Sequence, residues 1–260
     1  MSPPADSRPT PDTIDVLEPF VPLFRNPHLQ TIAANYWPRP ISPVPVQRRL
    51  IQTEPGVQVL VYSQTPPNAR GHVVLVHGLE GSAESGYMCS LATAVLTRGF
   101  AAHRFNLRTC GGTQHLCQTL YHAGLTSDLH AFLRQLDGPA FLVGYSLGGN
   151  VALKLAAELP DAPALIRGVA TVSTPLDLGI CAARISEPDN RIYEARFVRR
   201  MRARLCATGR YAEKDFAGLR TVMQIDDRIT APSFGFRDAA HYYATQSAIV
   251  YLPQFASRCC

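Results

Sequence analysis

The sequence predicts an α/β fold with a mostly parallel sheet covered by helices on both faces. Three observations carry that prediction. From residue 46 the chain alternates short apolar runs with longer amphipathic ones in the order β, β, β, α, β, α, β, α, β. Such alternation implies crossovers onto a parallel sheet. His72-Val-Val-Leu-Val-His77 is a near-continuous apolar run of the kind found in strands buried on both faces. Residues 141–157 read as a strand, a glycine-hinged turn and an Ala/Leu-rich helix.

The elements follow in order. Residues 1–17 open in Pro, Ser and Asp and are expected to be a disordered lead-in. Residues 20–45 hold many prolines and no dominant period, which predicts an extended segment with a short helix around 28–34. Residues 46–53 and 57–64 alternate apolar and polar side chains around Glu54-Pro-Gly56, a hairpin signal. Residues 82–98 predict a helix stopped by Gly99. A strand over 100–105, a Gly/Thr/Cys-rich loop over 106–118 and a helix over 123–136 come next. Gly138-Pro139 punctuates before the strand at 141–143, and 166–173 is the following strand.

Residues 175–246 break the alternation. They predict helices near 177–185, 191–207, 213–219 and 238–246, placed as a lid over a site. The predicted organisation is therefore lead-in 1–17, the N-terminal part of the core 18–175, a helical lid 176–247 and a tail 248–260. The basic helix over 196–205 reads as a solvated face; the functional alternative is contact with anionic lipid headgroups.

The totals restrict the function classes. With 260 residues the chain is long enough for a sizeable core. A net charge of +5, not concentrated in one stretch, does not suggest nucleic-acid binding. No apolar run approaches a membrane span, and no secretory signal is evident. Seven cysteines without a C-x-x-C pair argue against a disulfide framework and a structural zinc site. Reduced thiols and a cytoplasmic location are expected, with no metal and no cofactor.

Chemistry concentrates in two motifs. Gly144-Tyr145-Ser146-Leu147-Gly148 matches G-x-S-x-G, which between a strand and a helix is a nucleophile elbow. An ordinary strand-to-helix connection produces the same bare pattern; the second motif separates the two readings. Val76-His77-Gly78-Leu79-Glu80-Gly81 closes the first long parallel strand. In a fold with such an elbow, the loop after that strand donates one oxyanion N–H and the residue after the nucleophile donates the other. Ser146 is thus the candidate nucleophile, with Leu79 and Leu147 as backbone oxyanion donors. His77 precedes the serine and reads as a structural histidine bracing the loop rather than as a base.

Together these motifs resemble the α/β-hydrolase superfamily. More narrowly, the chain resembles the abhydrolase subgroup of YheT-like bacterial hydrolases, Emb8-type plant proteins and animal ABHD1/ABHD3-type lipid hydrolases. The resembling residues are Phe24-Arg-Asn-Pro-His-Leu-Gln-Thr-Ile32, His77–Gly81, Asn106-Leu-Arg-Thr-Cys-Gly-Gly112, Gly144–Asn150 and Asp226-Asp-Arg-Ile-Thr-Ala-Pro232 with Gly235-Phe236. Thr109 departs from the pattern, where glycine is expected. The resemblance implies a serine hydrolase of carboxylic esters, including lipid esters, with no cofactor.

A serine nucleophile needs a histidine to take its proton and an acid to orient that histidine. The resemblance places the acid after the next strand and the histidine after the one beyond. Tyr251-Leu252-Pro253 resembles the opening of the acid-bearing strand, but the seven residues that follow hold no Asp, Glu or His. The C-terminal strands of the fold are therefore expected to be missing, as after a frameshift or truncation. The strand at 166–173 would then be an exposed apolar edge, and the chain poorly stable with little esterase activity. His241, after Ser146 in the chain with Asp238 one turn away, is the makeshift candidate base. Two rivals remain open: a non-catalytic remnant or binding protein, and a peripheral membrane module. The motifs do not separate hydrolysis from acyl transfer.

Overall fold

A computed structural model describes residues 21–39 and 42–253. The lead-in expected over 1–17 and the tail residues 254–260 lie outside the described residues. The chain divides into two units, Met1–Pro38 and Arg39–Cys260. In the first, helix α1 (Pro27–Tyr36) begins where the Asn26 side chain accepts the His28 and Leu29 N–H groups, with Pro27 at the first helical position.

In the second unit the alternation appears as predicted. Strands β1 (Gln47–Glu54) and β2 (Val57–Gln64) form the hairpin. They lead to β3 (His72–Val76), α2 (Gly86–Thr97), β4 (Ala101–Phe105), α3 (Ser127–Leu133), β5 (Ala140–Tyr145), α4 (Leu147–Glu158), the short α5 (Ala162–Leu165) and β6 (Ile166–Val172). All six strands make one sheet in the order β1-β2-β4-β3-β5-β6. Strands β3 to β6 pair in parallel, while β1 and β2 are antiparallel to their neighbours.

The helix expected over 123–136 is shorter than its pattern suggested. The Ala123 N–H instead donates to the Tyr242 hydroxyl at 2.7 Å, and the Ala123 carbonyl accepts from Asn150 at 2.9 Å. Tertiary partners thus take the groups that a helical turn would have used.

Strand order reverses at β3. The chain moves from β3 to β4 on one side, then crosses to β5 on the other, and such switch points leave a crevice beyond the strand ends. Register pairs Val76 with Gly144, so the loop after β3 and the turn after β5 emerge side by side. Strand β3 is buried from Val73 to Val76. Strand β6 alternates between half-buried and exposed; it pairs with β5 and, among the described residues, with no other strand. The expected edge is present, with Val172 45% exposed.

Beyond β6 come α6 (Leu178–Ile185), α7 (Arg191–Ala207), α8 (Val222–Ile225), a π-helical segment Asp226–Thr230, α9 (Ala231–Ser233) and α10 (Ala239–Gln246). Helices α7 and α8 and the π-helical segment share an apolar cluster around Met201, Leu205, Phe216 and Ile225, whereas α6 and α10 pack into the main core through Leu178, Ala182, Tyr242 and Tyr243. The predicted helix over 213–219 reduces to a 3₁₀ turn, Glu213–Phe216, and the helical run over 222–233 was not foreseen. Tyr251-Leu252-Pro253 is not the opening of a strand. Ala248–Val250 is a 3₁₀ turn in which the Val250 and Tyr251 N–H groups bond the Ser247 and Ala248 carbonyls, so the backbone is satisfied locally. Among the described residues no helix is long and apolar enough to cross a membrane.

Candidate active site

The turn after β5 is sterically determined. Ser146 takes φ 50°, ψ −123°, a conformation that costs a side-chain-bearing residue free energy. Two close approaches demand glycine around it. A Cβ on Gly144 would lie 2.5 Å from the Gly148 carbonyl oxygen, and one on Gly148 would lie 2.5 Å from the His77 carbonyl oxygen. No side chain fits at those distances, so the strand, helix and neighbouring loop interlock only through the glycines. The Ser146 N–H donates to the Val172 carbonyl at 2.9 Å, tying the turn to β6.

Ser146 immediately precedes α4, whose first N–H groups have no intrahelical acceptor. Among the described residues, neither the Leu147 N–H nor the Leu79 N–H donates to a protein acceptor. Ser146, Leu79 and Leu147 all line one cavity of about 110 Å³. Two free donors on the cavity that a half-buried serine also lines are what a developing oxyanion requires.

His77 braces the loop that carries Leu79. Its Nδ1–H donates to the Gly78 carbonyl at 2.8 Å, and its Nε2 accepts the Leu107 N–H at 3.1 Å. Both ring nitrogens are engaged, and burial pushes its pKa down to about 4. The ring is a neutral strut, with no lone pair left for a proton.

Helix α7 clamps the same loop. Arg204 on α7 reaches Glu80 through Nε at 2.9 Å and Nη2 at 2.8 Å, and Arg200 donates to the Glu80 carbonyl at 3.3 Å. The Tyr121 ring lies 4.6 Å from the Arg204 guanidinium. Burial alone would lower the Arg204 pKa, and the nearby Glu80 carboxylate leads the effects that more than offset it, so the guanidinium keeps its charge. Glu80 itself has φ 55°. Arg204 also donates to the Thr109 hydroxyl at 2.9 Å. Thr109 has φ 61°, which explains why glycine suits that position. The basic helix is therefore not a uniformly solvated face: Arg204 is buried, whereas Arg196 and Arg199 are exposed.

Helices α6 to α10 wall the cavity opposite Ser146 with Leu178, Ile185, Phe197, Met201 and Val222. Polar residues that sequence reasoning did not place there also line it, among them His122, Asp226, Thr230 and Tyr243. His122 accepts the Gly124 N–H on Nδ1 at 3.1 Å and packs against Phe234. Burial, with Lys154 as a lesser cause, brings its pKa down to about 3. Asp226 accepts from the Tyr243 hydroxyl at 2.7 Å.

His241 is not among the cavity-lining residues. It sits in the first turn of α10, where its Nδ1 accepts the Arg237 N–H at 3.2 Å and Asp238 accepts the His241 N–H as the helix N-cap. The Ser146 hydroxyl makes no hydrogen bond with another described residue. Among the described residues no group of three or more His, Cys, Asp or Glu is placed to hold a metal ion.

Comparison with known proteins bears on the family and fold. The family model of the alpha/beta hydrolase fold matches residues 71–203, which run from β3 through the elbow to Arg204's helix. The chain is also 33% identical over 254 residues to YheT of Escherichia coli, covering 91% of this chain and 74% of that protein. The chain belongs to the α/β-hydrolase family. The chain is further similar to a monoacylglycerol lipase of Saccharomyces cerevisiae, 27% identical over 204 residues, covering 72% of this chain and 45% of that protein. An esterase structure from Pyrococcus furiosus is 20% identical at a TM-score of 0.48, covering 58% of this chain and 62% of that one. The hydrolase thus spans 74% of its bacterial relative and under half of the yeast lipase.

Of the residues missed by pattern reading, Arg204 had a signal. Val198, Met201 and Leu205 form the buried stripe of α7, and position 204, three after Met201, shares that face. Asp226 stood in the resembling stretch 226–232, but its facing was not legible there, because a π-helical segment does not keep the 3.6-residue period.

Proposed function

We propose that this hydrolase cleaves carboxylic esters through an acyl-enzyme on Ser146. The observation that carries this reading is the strained Ser146 turn, set beside two unpaired N–H groups and opening on an apolar cavity. The Ser146 hydroxyl would attack the ester carbonyl carbon, and the carbonyl oxygen, now negative, would be held by the Leu79 and Leu147 N–H groups. Collapse expels the alcohol, and water then attacks the acyl-serine to release the acid and restore Ser146. An acceptor alcohol in place of that water would give acyl transfer from the same intermediate. The lipase name of the yeast relative supports lipid esters as substrates.

The step that needs a base is the removal of the Ser146 proton. His241 fills that role only if α10 rearranges, since its Nδ1 is engaged by Arg237. The unpartnered Ser146 hydroxyl therefore favours a second reading, in which the same cavity binds an ester without turning it over. Fluorophosphonate labelling separates the two. Labelling that disappears in Ser146→Ala and slows in His241→Ala supports catalysis with that base. A folded chain that does not label supports binding alone.

A further inference from the structure

The cavity that holds Ser146 is apolar on most sides, yet one carboxyl group is built into its wall. Asp226 is 8% exposed and heads the π-helical segment Asp226–Thr230. Insertions of this kind turn a helix face out of its regular sequence and recur at functional sites. Here both Asp226 and Thr230, the first and last residues of the segment, line the cavity, together with Tyr243 from α10.

The other charged group at this cavity is already committed. Arg204 is tied to Glu80 by two short contacts, at 2.9 and 2.8 Å, and donates as well to Thr109. Asp226 is differently placed. Tyr243 donates one hydrogen bond at 2.7 Å to Oδ2. Thr230 supplies a second interaction from within the segment. A carboxyl has about four acceptor sites, so two such interactions leave capacity for a further donor.

A carboxyl in an apolar wall is costly unless donors satisfy it. Burial pushes the Asp226 pKa up to about 6, against the opposing effects of the Tyr243 and Thr230 hydroxyls. Tyr243 and Thr230 already present hydroxyls to this carboxyl, and a further hydroxyl from a bound alcohol continues the same pattern of contact. The neighbouring Tyr243 and Thr230 hydroxyls can each also accept or donate, so the polar corner offers several hydroxyl contacts. The remaining wall, with Phe197, Met201, Leu178 and Ile185, suits an alkyl chain.

We propose that Asp226 is a specificity-determining residue that accepts a hydrogen bond from a free hydroxyl on the alcohol portion of the ester, so that hydroxylated alcohol esters are selected over simple alkyl esters. This rests on the ester-hydrolase reading for its chemistry, but the recognition is tested without turnover.

Three ligands of one chain length that no esterase can cleave serve as probes: 1-O-octylglycerol, octyl methyl ether and octyltrimethylammonium. Their binding to the full chain is measured by calorimetry at pH 7.5. The wild type is expected to bind the alkylglycerol about ten- to a hundredfold more tightly than the ether, the range for hydrogen bonds to a carboxylate. Asp226→Asn keeps an oxygen for the Tyr243 hydroxyl and is expected to lose most of that preference. A wild type with no preference for the alkylglycerol overturns the proposal, and so does tightest binding of the ammonium compound. Equal preference in wild type and folded Asp226→Asn also overturns it. Should Asp226→Asn not fold, the three-ligand ranking on the wild type still decides. Ser146 that fails to label while the alkylglycerol preference persists removes the hydrolase reading and leaves the recognition intact.

Discussion

Ser146→Gly should stabilise the protein while abolishing any chemistry at the elbow. Ser146 is held at φ 50°, ψ −123°, where a residue with a Cβ is strained by about 1–3 kcal/mol. Glycine removes that strain but adds about 0.5–1 kcal/mol of backbone entropy cost. The net gain is about 0–2.5 kcal/mol with a midpoint of about 1 kcal/mol, or roughly 2–4 °C in Tm at that midpoint for a domain near this size. The hydrogen bond from the residue 146 N–H to Val172 is a backbone contact and survives the change. Ser146→Ala is the control, because it loses the hydroxyl and keeps the Cβ, so its Tm should stay near that of the wild type. Thermal unfolding of the three proteins at one concentration measures the difference. A glycine variant no more stable than the alanine variant would show that the turn stores no strain, and the steric account of the elbow would fall.

Acid should unfold the protein steeply. Burial lowers the pKa of His77 to about 4, of His103 to about 4 and of His122 to about 3 in the folded state, from 6.5. Depressed folded values mean that these groups favour the fold above pH 6.5 and oppose it as pH falls toward 4. Asp226, raised from 3.8 to about 6, acts in the other direction over that window. The net uptake on unfolding is roughly two protons, or ~2.7 kcal/mol lost per pH unit near pH 5. Urea midpoints measured from pH 7 to 4.5 check this, and a flat profile would contradict neutral burial of the three rings. Arg204→Met leaves Glu80, 4% exposed at its side chain, without its counter-ion and should cost about 3–5 kcal/mol. Adding Glu80→Gln to that variant should recover part of the loss in chemical denaturation, and no recovery would mean that the pair is not coupled. Gly148→Ala forces a Cβ against the His77 carbonyl and should cost at least as much as a typical overpacked core, about 1–3 kcal/mol, with loss of fluorophosphonate labelling.

The alternation of strands and helices, the hairpin at 54–56 and the glycine-bounded turn at Ser146 were legible because each is a local pattern. Strand β3 announces itself by an unbroken apolar run, and α7 was bounded correctly at Arg191–Ala207 by its own composition. Local pattern also misled: Ala123–Thr126 looks helical, yet Tyr242 and Asn150 take its backbone groups. Tyr251–Pro253 looked like a strand and closes a 3₁₀ turn instead.

By itself the sequence determined the alternating strands and helices of the sheet and where the glycine-bounded turn at Ser146 lies, since hydrophobic period and glycine spacing act over a few residues. Only the tertiary structure decided that Val76 and Gly144 stand in register, that Arg204 buries itself on Glu80, and that Asp226 faces the Ser146 cavity. Those pairings join positions scores of residues apart. They are selected by shared burial and charge compensation, which no local pattern encodes.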